Sequence, residues 1–335
     1  MYVINARNVN IALPEGLRIL KMCGVQRVSR GQAVIEYPEP VATVYSHPWE
    51  RVLFDPVRDA NPFFHLMETI WLLAGRCDVY WLAQFNARMA EYSDDGTSYH
   101  GAYGYRLRFA TAKDQLQEVI TRLRKEPSSR QAVLQLWNVD ADLNAHTKDL
   151  PCNIAVMLKV RDRKLLTTVV NRSNDIILGL YGANAVQFSV LHEYLAAAIG
   201  AEMGSLTHVS DSFHAYADNL YWQVADPNLA YDPYRAGEVR SLPLITHPMT
   251  VYAEADRFLA DPLDELGPMF PKTDFYYRNP LFRAVALPMY RAWKAHKDGL
   301  DRAVDVFEIE APDWQRACAE WLQRREAKRD AGTRV

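Results

Sequence analysis

Two stretches, RQAVLQLWNV (130–139) and NIAVMLKVRDRKLLTTVVNRS (153–173), constrain the fold more than any other part of the chain. Apolar and polar residues alternate through both, which is the period of a half-buried strand. A polar turn at Arg161–Lys164 divides the longer stretch, so three successive strands are expected, the last two forming an antiparallel hairpin. Close behind comes NAVQFSVLHEYLAAAIG (184–200), nearly all apolar and ended by Gly200, which reads as a buried helix.

The flanking regions read more coarsely. Residues 1–45, with QAVIEYPEPVATVY as the clearest part, alternate like strands broken by Pro38 and Pro40. NPFFHLMETIWLLAGRCDVYWLAQFNARMAEY (61–92) has helical spacing, with Asn61 or Asp59 as cap, Pro62 in the first turn and Gly75 closing the first helix. DGTSYHGAYGYRLR (95–108) is a glycine-punctuated loop, and an amphipathic helix over 112–126 stops near Pro127. MGSLTHVSDSFHAY reads as a strand and loop. After about residue 235 come proline-rich loops, helices over 281–300 and 312–330, and a charged tail. With no repeat and no linker-like stretch, the expectation is one α+β domain spanning 1–335.

Composition narrows the function. Lys plus Arg at 38 against Asp plus Glu at 41 leaves −3, so no basic field invites nucleic acid, and an anionic ligand must be held by local arginines. Cys23, Cys77, Cys152 and Cys318 are scattered without a CxxC pair or metal-ligand spacing, which suits free thiols in a reducing cytoplasm and predicts no metal. The opening residues carry no signal-peptide pattern and the apolar runs are too short to span a bilayer, so a soluble cytoplasmic protein is expected.

Chemistry concentrates around LPCN (150–153). A lone cysteine is ordinarily a core filler, but Arg172 and Ser173 end the strand whose hairpin partner Cys152 begins. A guanidinium near a thiol is expected to lower its pKa and supply a thiolate nucleophile. The same guanidinium, with the Ser173 hydroxyl, suits a phosphate. Glu68 sits among Leu66, Met67, Ile70, Trp71 and Leu72. It is either on the helix's wet edge or buried with a raised pKa fit for proton transfer.

LPCN, NRSNDIILG, GANAVQF and FHAY, in this order, resemble the thymidylate synthase superfamily, which includes pyrimidine-nucleotide hydroxymethylases of phages and antibiotic pathways. The resemblance runs from about residue 27 to 222 and implies an α+β domain with a large mixed sheet, paired sheet to sheet in a homodimer. It implies addition of Cys152 to carbon 6 of a pyrimidine nucleoside monophosphate, so that carbon 5 attacks a one-carbon unit from 5,10-methylenetetrahydrofolate, the co-substrate. Arg172 and Ser173 would hold the 5′-phosphate, with Arg30 and Gln131 nearby and Arg130 reaching the partner subunit's site. Asn184 would read the base edge, and His214 and Tyr216 the sugar hydroxyl. Asp175 would contact the folate pterin, with Gly179, Met89 and Tyr92 also on the folate side. Glu68 would organise water for proton transfer, and Tyr103 would help remove the carbon 5 proton.

Departures from the family pattern bear on the product. Met89 and Tyr92 stand where the family carries tryptophans, and REAKRDAGTRV ends the chain without an apolar cap. Both changes favour water at the exocyclic methylene, hence hydroxymethyl over methyl transfer. Asn153 replaces the histidine after the nucleophile, and Gln131 replaces the second arginine of a pair. Asn184 suits a uracil edge, making dUMP the leading substrate, with dCMP or CMP as alternatives. The rivals are a methylating synthase making dTMP, a cysteine hydrolase, and a nucleotide- or RNA-binding regulator without catalysis. The hydrolase leaves NRSND and GANAVQF without a role.

Overall fold

The structure, a computed structural model, describes residues 1–260, 277–300 and 303–330. Its strands are β1 (Tyr2–Ala6), β2 (Val25–Ser29), β3 (Gln32–Glu36), β4 (Val41–Tyr45), β5 (Ala132–Gln135), β6 (Asn153–Arg161), β7 (Lys164–Asp175) and β8 (Glu202–Tyr216). They form one mixed sheet in the order β1-β4-β8-β7-β6-β5, with the β2–β3 hairpin attached along β8 through β3. The three strands expected from 130–173 are β5, β6 and β7, paired antiparallel in sequence order. The β6–β7 turn is closed by Asp162 (φ 50°) and Arg163 (φ 63°), the left-handed pair that a tight hairpin requires. A parallel β8 then follows β7 through a helical crossover.

The helices are α1 (Val9–Cys23), α2 (Pro62–Ala74), α3 (Val79–Phe85), α4 (Tyr103–Arg108), α5 (Gln115–Lys125), α6 (Val139–Asp142), α7 (Asn184–Ile199), α8 (Leu220–Val224), α9 (Val251–Ala260), α10 (Leu287–Asp298), α11 (Ala303–Phe307) and α12 (Pro312–Asp330). Asn61 caps α2 by accepting from the Phe64 N–H, and Gly75 ends it at φ 71°. Gly200 closes α7 at φ 84°.

Three readings of the sequence need correction. Residues 9–23 are a helix rather than strand: Val9, Ala12, Leu13, Gly16, Leu17 and Leu20 recur at helical spacing on one buried face, and Asn8 caps the start. Pro14 lies inside that helix, so the apolar stripe outweighs the missing N–H. The loop over 95–108 contains α4, and residues 202–216 form one unbroken strand because β7 and β4 hold it on both sides. The last residues of the charged tail, 331–335, lie outside the described residues. Up to Asp330 the helix is tied down: Arg324, Arg325 and Lys328 converge on Asp59.

α2 and α7 pack against each other over one face of the sheet. Every residue of α2 is buried, and Phe188 of α7 meets His208 of β8 edge-on at 5.5 Å between ring centres. On the other face Met157, Thr168, Val170, Thr207 and Val209 remain partly exposed. No helix among the described residues is long and apolar enough to cross a membrane, and none of their His, Cys, Asp and Glu side chains cluster to hold a metal.

α4 reaches α2 only because residue 104 is glycine, since a Cβ there would lie 2.0 Å from the Leu72 carbonyl oxygen. Gly104→Ala is therefore expected to lower stability by about 1–3 kcal/mol, seen as a lower urea midpoint at unchanged slope. An unaltered midpoint would show that the two helices do not depend on this approach.

Candidate active site

The hairpin carries Cys152 and Arg172 to the same end of the sheet, with a one-residue register shift between Asn153 and Ala155 setting their final alignment. Asn153 stands opposite Asn171, and the Arg172 N–H donates to the Cys152 carbonyl at 2.9 Å. The Arg172 side chain folds over the segment that leads into Cys152, with Nε donating to the Pro151 carbonyl and Nη2 to that of Leu150, both at 2.9 Å. Nη2 also lies 3.8 Å from the Cys152 Sγ. The sulfur is partly exposed.

The guanidinium acts on the thiol in the expected direction, but burial outweighs it. Burial pushes the Cys152 thiol above its ordinary value, with Arg172 and Arg30 pulling the other way and losing. The resting group is thus a thiol, and forming the thiolate requires a proton acceptor as well as the guanidinium.

Tyr103 and Asp149, both neighbours of Cys152, wall a cavity of about 140 Å³ together with Glu68, Asn184 and Gln187 on the polar side and Trp71, Leu82 and Met89 on the apolar side. Flat apolar walls with a few converging polar groups suit a heterocycle with polar edges. Glu68 is buried, not on a wet edge, and burial carries its carboxyl to about 8 against a hydrogen bond from Gln187. The Tyr103 phenol lies against the Cys152 and Asn153 backbone, its pKa raised far up by burial. Asn184 Nδ2 donates to Asn174 Oδ1 at 3.2 Å, and Asn174 in turn donates to the Ser210 hydroxyl at 2.8 Å. That relay fixes which way the Asn184 amide faces, and Gly179 packs beside it.

The parallel register of β7 and β8 sets Ser173 opposite Ser212 and Asp175 opposite His214. His214 packs edge-on against Tyr216 and faces Ser212, whose hydroxyl donates to Glu36. Burial lowers the His214 pKa, opposed by Asp175. Both Asp175 carboxylate oxygens accept backbone N–H groups, from Ile177 and Leu178, so this residue caps the turn after β7. Arg30 sits at the tip of the β2–β3 hairpin at φ 51° and acts electrostatically on Cys152, His214 and Tyr216. Tyr92 is half exposed and within electrostatic reach of Tyr216.

Two candidates do not join this group within one chain. Arg130 and Gln131 are exposed at the far end of β5, and Gln131 accepts from Arg122 at 2.8 Å. Ala132 pairs with Leu158, which puts them about 20 Å along β6 from Cys152. Sequence reasoning missed Asp149, Asn174 and Gln187. None has a signal of its own: Asp149 lies in a loop, and Asn174 and Gln187 matter only through contacts across the fold.

A family model described as thymidylate synthase matches residues 61–240. The chain is 45% identical to a deoxyuridylate hydroxymethyltransferase of Pseudomonas phage M6 across 99% of this chain and 96% of that protein. It is 40% identical to a protein of the same name from Bacillus phage SP01, across 57% of this chain and 52% of that one. With a third of that name, from Delftia phage PhiW-14, the identity is 29% across 64% and 62%.

The raised Glu68 pKa has a stability consequence. An acid whose folded value lies above its unfolded value stabilises fully below the unfolded value, and that stability is lost as pH rises through the folded one. The window here runs from about 4.5 to about 8. Glu68→Gln should therefore remove a loss on the order of a few kcal/mol between pH 5 and pH 9, measured by urea unfolding at both. Parallel losses in parent and variant would show that Glu68 does not titrate in that range.

Proposed function

The chain belongs to the thymidylate synthase family, and from that premise we propose that it hydroxymethylates carbon 5 of dUMP with a one-carbon unit from 5,10-methylenetetrahydrofolate. The observation that carries the reading is the Cys152 sulfur beside the Arg172 guanidinium, with Tyr103, which lies against the Cys152 backbone, walling a cavity together with Glu68 and an oriented Asn184. The relatives named for that activity support the substrate and the product.

In this reading Cys152 adds to carbon 6 of the base and carbon 5 takes up the one-carbon unit. Arg172, Ser173 and Arg30 hold the phosphate, and Arg172 Nη1 has no protein partner among the described residues. His214 and Tyr216 bond the sugar. Glu68, an acid at neutral pH, protonates or releases through water at the base carbonyl, and Tyr103 assists removal of the carbon 5 proton. The Asn184 amide offers a donor and an acceptor to the uracil edge. Folate lies along Met89, Tyr92, Asp175 and Gly179. No metal takes part.

The chain is read as one domain over 1–335, acting in the host cytoplasm, without nucleic acid or membrane as partner. It acts as a homodimer joined across the open sheet face of Met157, Thr168, Val170, Thr207 and Val209. The position of Arg130, remote from its own Cys152, supports a role at the partner's phosphate. A second reading, methyl transfer giving dTMP, requires a dry methylene; half-exposed Tyr92 and the acidic wall speak against it.

Mass spectrometry of products from dUMP, dCMP, UMP and CMP offered together with the folate is the deciding experiment. A gain of one CH2O unit on dUMP is expected; dTMP with dihydrofolate would overturn the reading. Cys152→Ala should retain nucleotide binding and lose turnover by several orders of magnitude, and unchanged turnover would end the proposal. Asn184→Asp should shift preference toward dCMP by about tenfold or more in relative kcat/KM. Mixing inactive Cys152→Ala with Arg130→Ala subunits should restore about a quarter of parent activity through hybrid dimers; no recovery would leave Arg130 outside the shared site.

A further inference from the structure

We propose that Asp149 is the base that takes a proton from the water adding to the exocyclic methylene, and so directs the reaction to a hydroxymethyl product; this rests on the hydroxymethylation reading. Asp149 lies three residues before Cys152 and shares the cavity wall with Glu68, Tyr103, Asn184 and Gln187. Its Oδ2 is pinned by the Gly101 N–H at 2.7 Å. Gly101 is pressed so close that a Cβ there would lie 2.6 Å from the Asp149 carbonyl oxygen. The carboxylate is thus held in place with Oδ1 left to accept a further proton or hydrogen bond.

The same cavity contains polar atoms that call for water. Glu68 is 8% exposed and Gln187 5% exposed, and Glu68 Oε2 and Gln187 Oε1 have no partner among the described residues. Polar atoms left without a partner among the described residues are ordinarily satisfied by ordered water, and about 140 Å³ holds several molecules. A cavity meant to exclude water would not be walled by a second carboxyl next to the nucleophile.

Protonation states divide the work. Burial raises Asp149 to about 6, with the Gly101 N–H, His100 and Arg106 resisting and Asp94 adding to the rise. Glu68 stands at about 8, pushed further by Asp149 itself. Near pH 7 one is a carboxylate that accepts a proton and the other an acid that donates one, a separation typical of an acid–base pair.

The step balances without a redox partner. With the Cys152 sulfur on carbon 6 and tetrahydrofolate released, the methylene is the electron-poor end of a system conjugated with the carbon 4 carbonyl. The water oxygen bonds to the methylene carbon, its proton passes to Asp149, and the electron pair moves to the carbon 4 oxygen as an enolate. The enolate re-forms the carbonyl, restores the bond between carbons 5 and 6, and breaks the carbon–sulfur bond with the pair leaving on Cys152. The proton on Asp149 returns to solvent or to the thiolate.

The test is Asp149→Asn, which keeps shape and an acceptor for Gly101, in single turnover with dUMP tritiated at carbon 5. Hydroxymethyl product should form about 10²-fold or more slowly, the range for a lost general base, while tritium release stays near parent. Added 2-mercaptoethanol, whose thiol needs no protein base, should divert the stalled methylene to a thioether visible by mass. Asp149→Glu should recover part of the hydroxymethyl product. If the Asn variant does not fold, Asp149→Ala with formate serves: recovery by formate supports the proposal, and no effect overturns it. Parent-like product formation, or tritium release falling in step with product, also overturns it. A parent enzyme that makes no hydroxymethyl product would instead refute the hydroxymethylation reading.

Discussion

The register of the β6–β7 hairpin is the constraint on which the site depends. Side chains alternate along a strand, so a slip of one residue would send each to the opposite face. The left-handed pair Asp162–Arg163 leaves little freedom in that turn. At the other end a one-residue register shift between Asn153 and Ala155 brings Cys152 beside Arg172, and the guanidinium locks the loop by bonding to the Leu150 and Pro151 carbonyls. Parallel pairing of β8 then adds Ser212 and His214 opposite Ser173 and Asp175. One sheet edge thus gathers residues distant in sequence without help from a flexible loop.

Within that frame, desolvation rather than charge governs the resting electrostatics. It lifts the Cys152 thiol despite Arg172 and Arg30, lifts the Glu68 and Asp149 carboxyls, and lowers His214 despite Asp175. Each group is held in its neutral form more strongly than in water. Glu68 and Asp149, which titrate near neutrality, share one cavity, while the Arg172 guanidinium holds the Leu150–Pro151 segment and lies beside the Cys152 sulfur.

Helix packing supplies the walls. α2 is buried along its whole length, which puts the Glu68 carboxyl among Leu66, Met67 and Ile70, where burial raises its pKa. Gly104 lets α4 approach α2 closely, and Tyr103 enters the cavity from that contact. The Ser210–Asn174–Asn184 relay orients the Asn184 amide from beneath, so its direction is a property of the sheet.

Much of this was legible in residue order. Strand alternation identified β5, β6 and β7, and an all-apolar run ended by Gly200 identified α7, because burial on a sheet leaves a direct mark on period. That Cys152 and Arg172 reach the same end of the sheet followed from hairpin connectivity, whereas the register shift at Asn153–Ala155 that aligns them left no mark in the pattern. The helix over 9–23 was hidden by Pro14 and by the alternating strands around it. The sign of the thiol's pKa was not legible either, since desolvation depends on how many atoms of other elements surround the sulfur. Asp149, Asn174 and Gln187 acquire meaning only when loop, sheet and helix converge on one cavity. Sequence by itself determined the elements and the family chemistry, which are local in pattern; tertiary structure decided which groups are dry, which are paired, and which face the same space, because those are properties of contacts between distant segments.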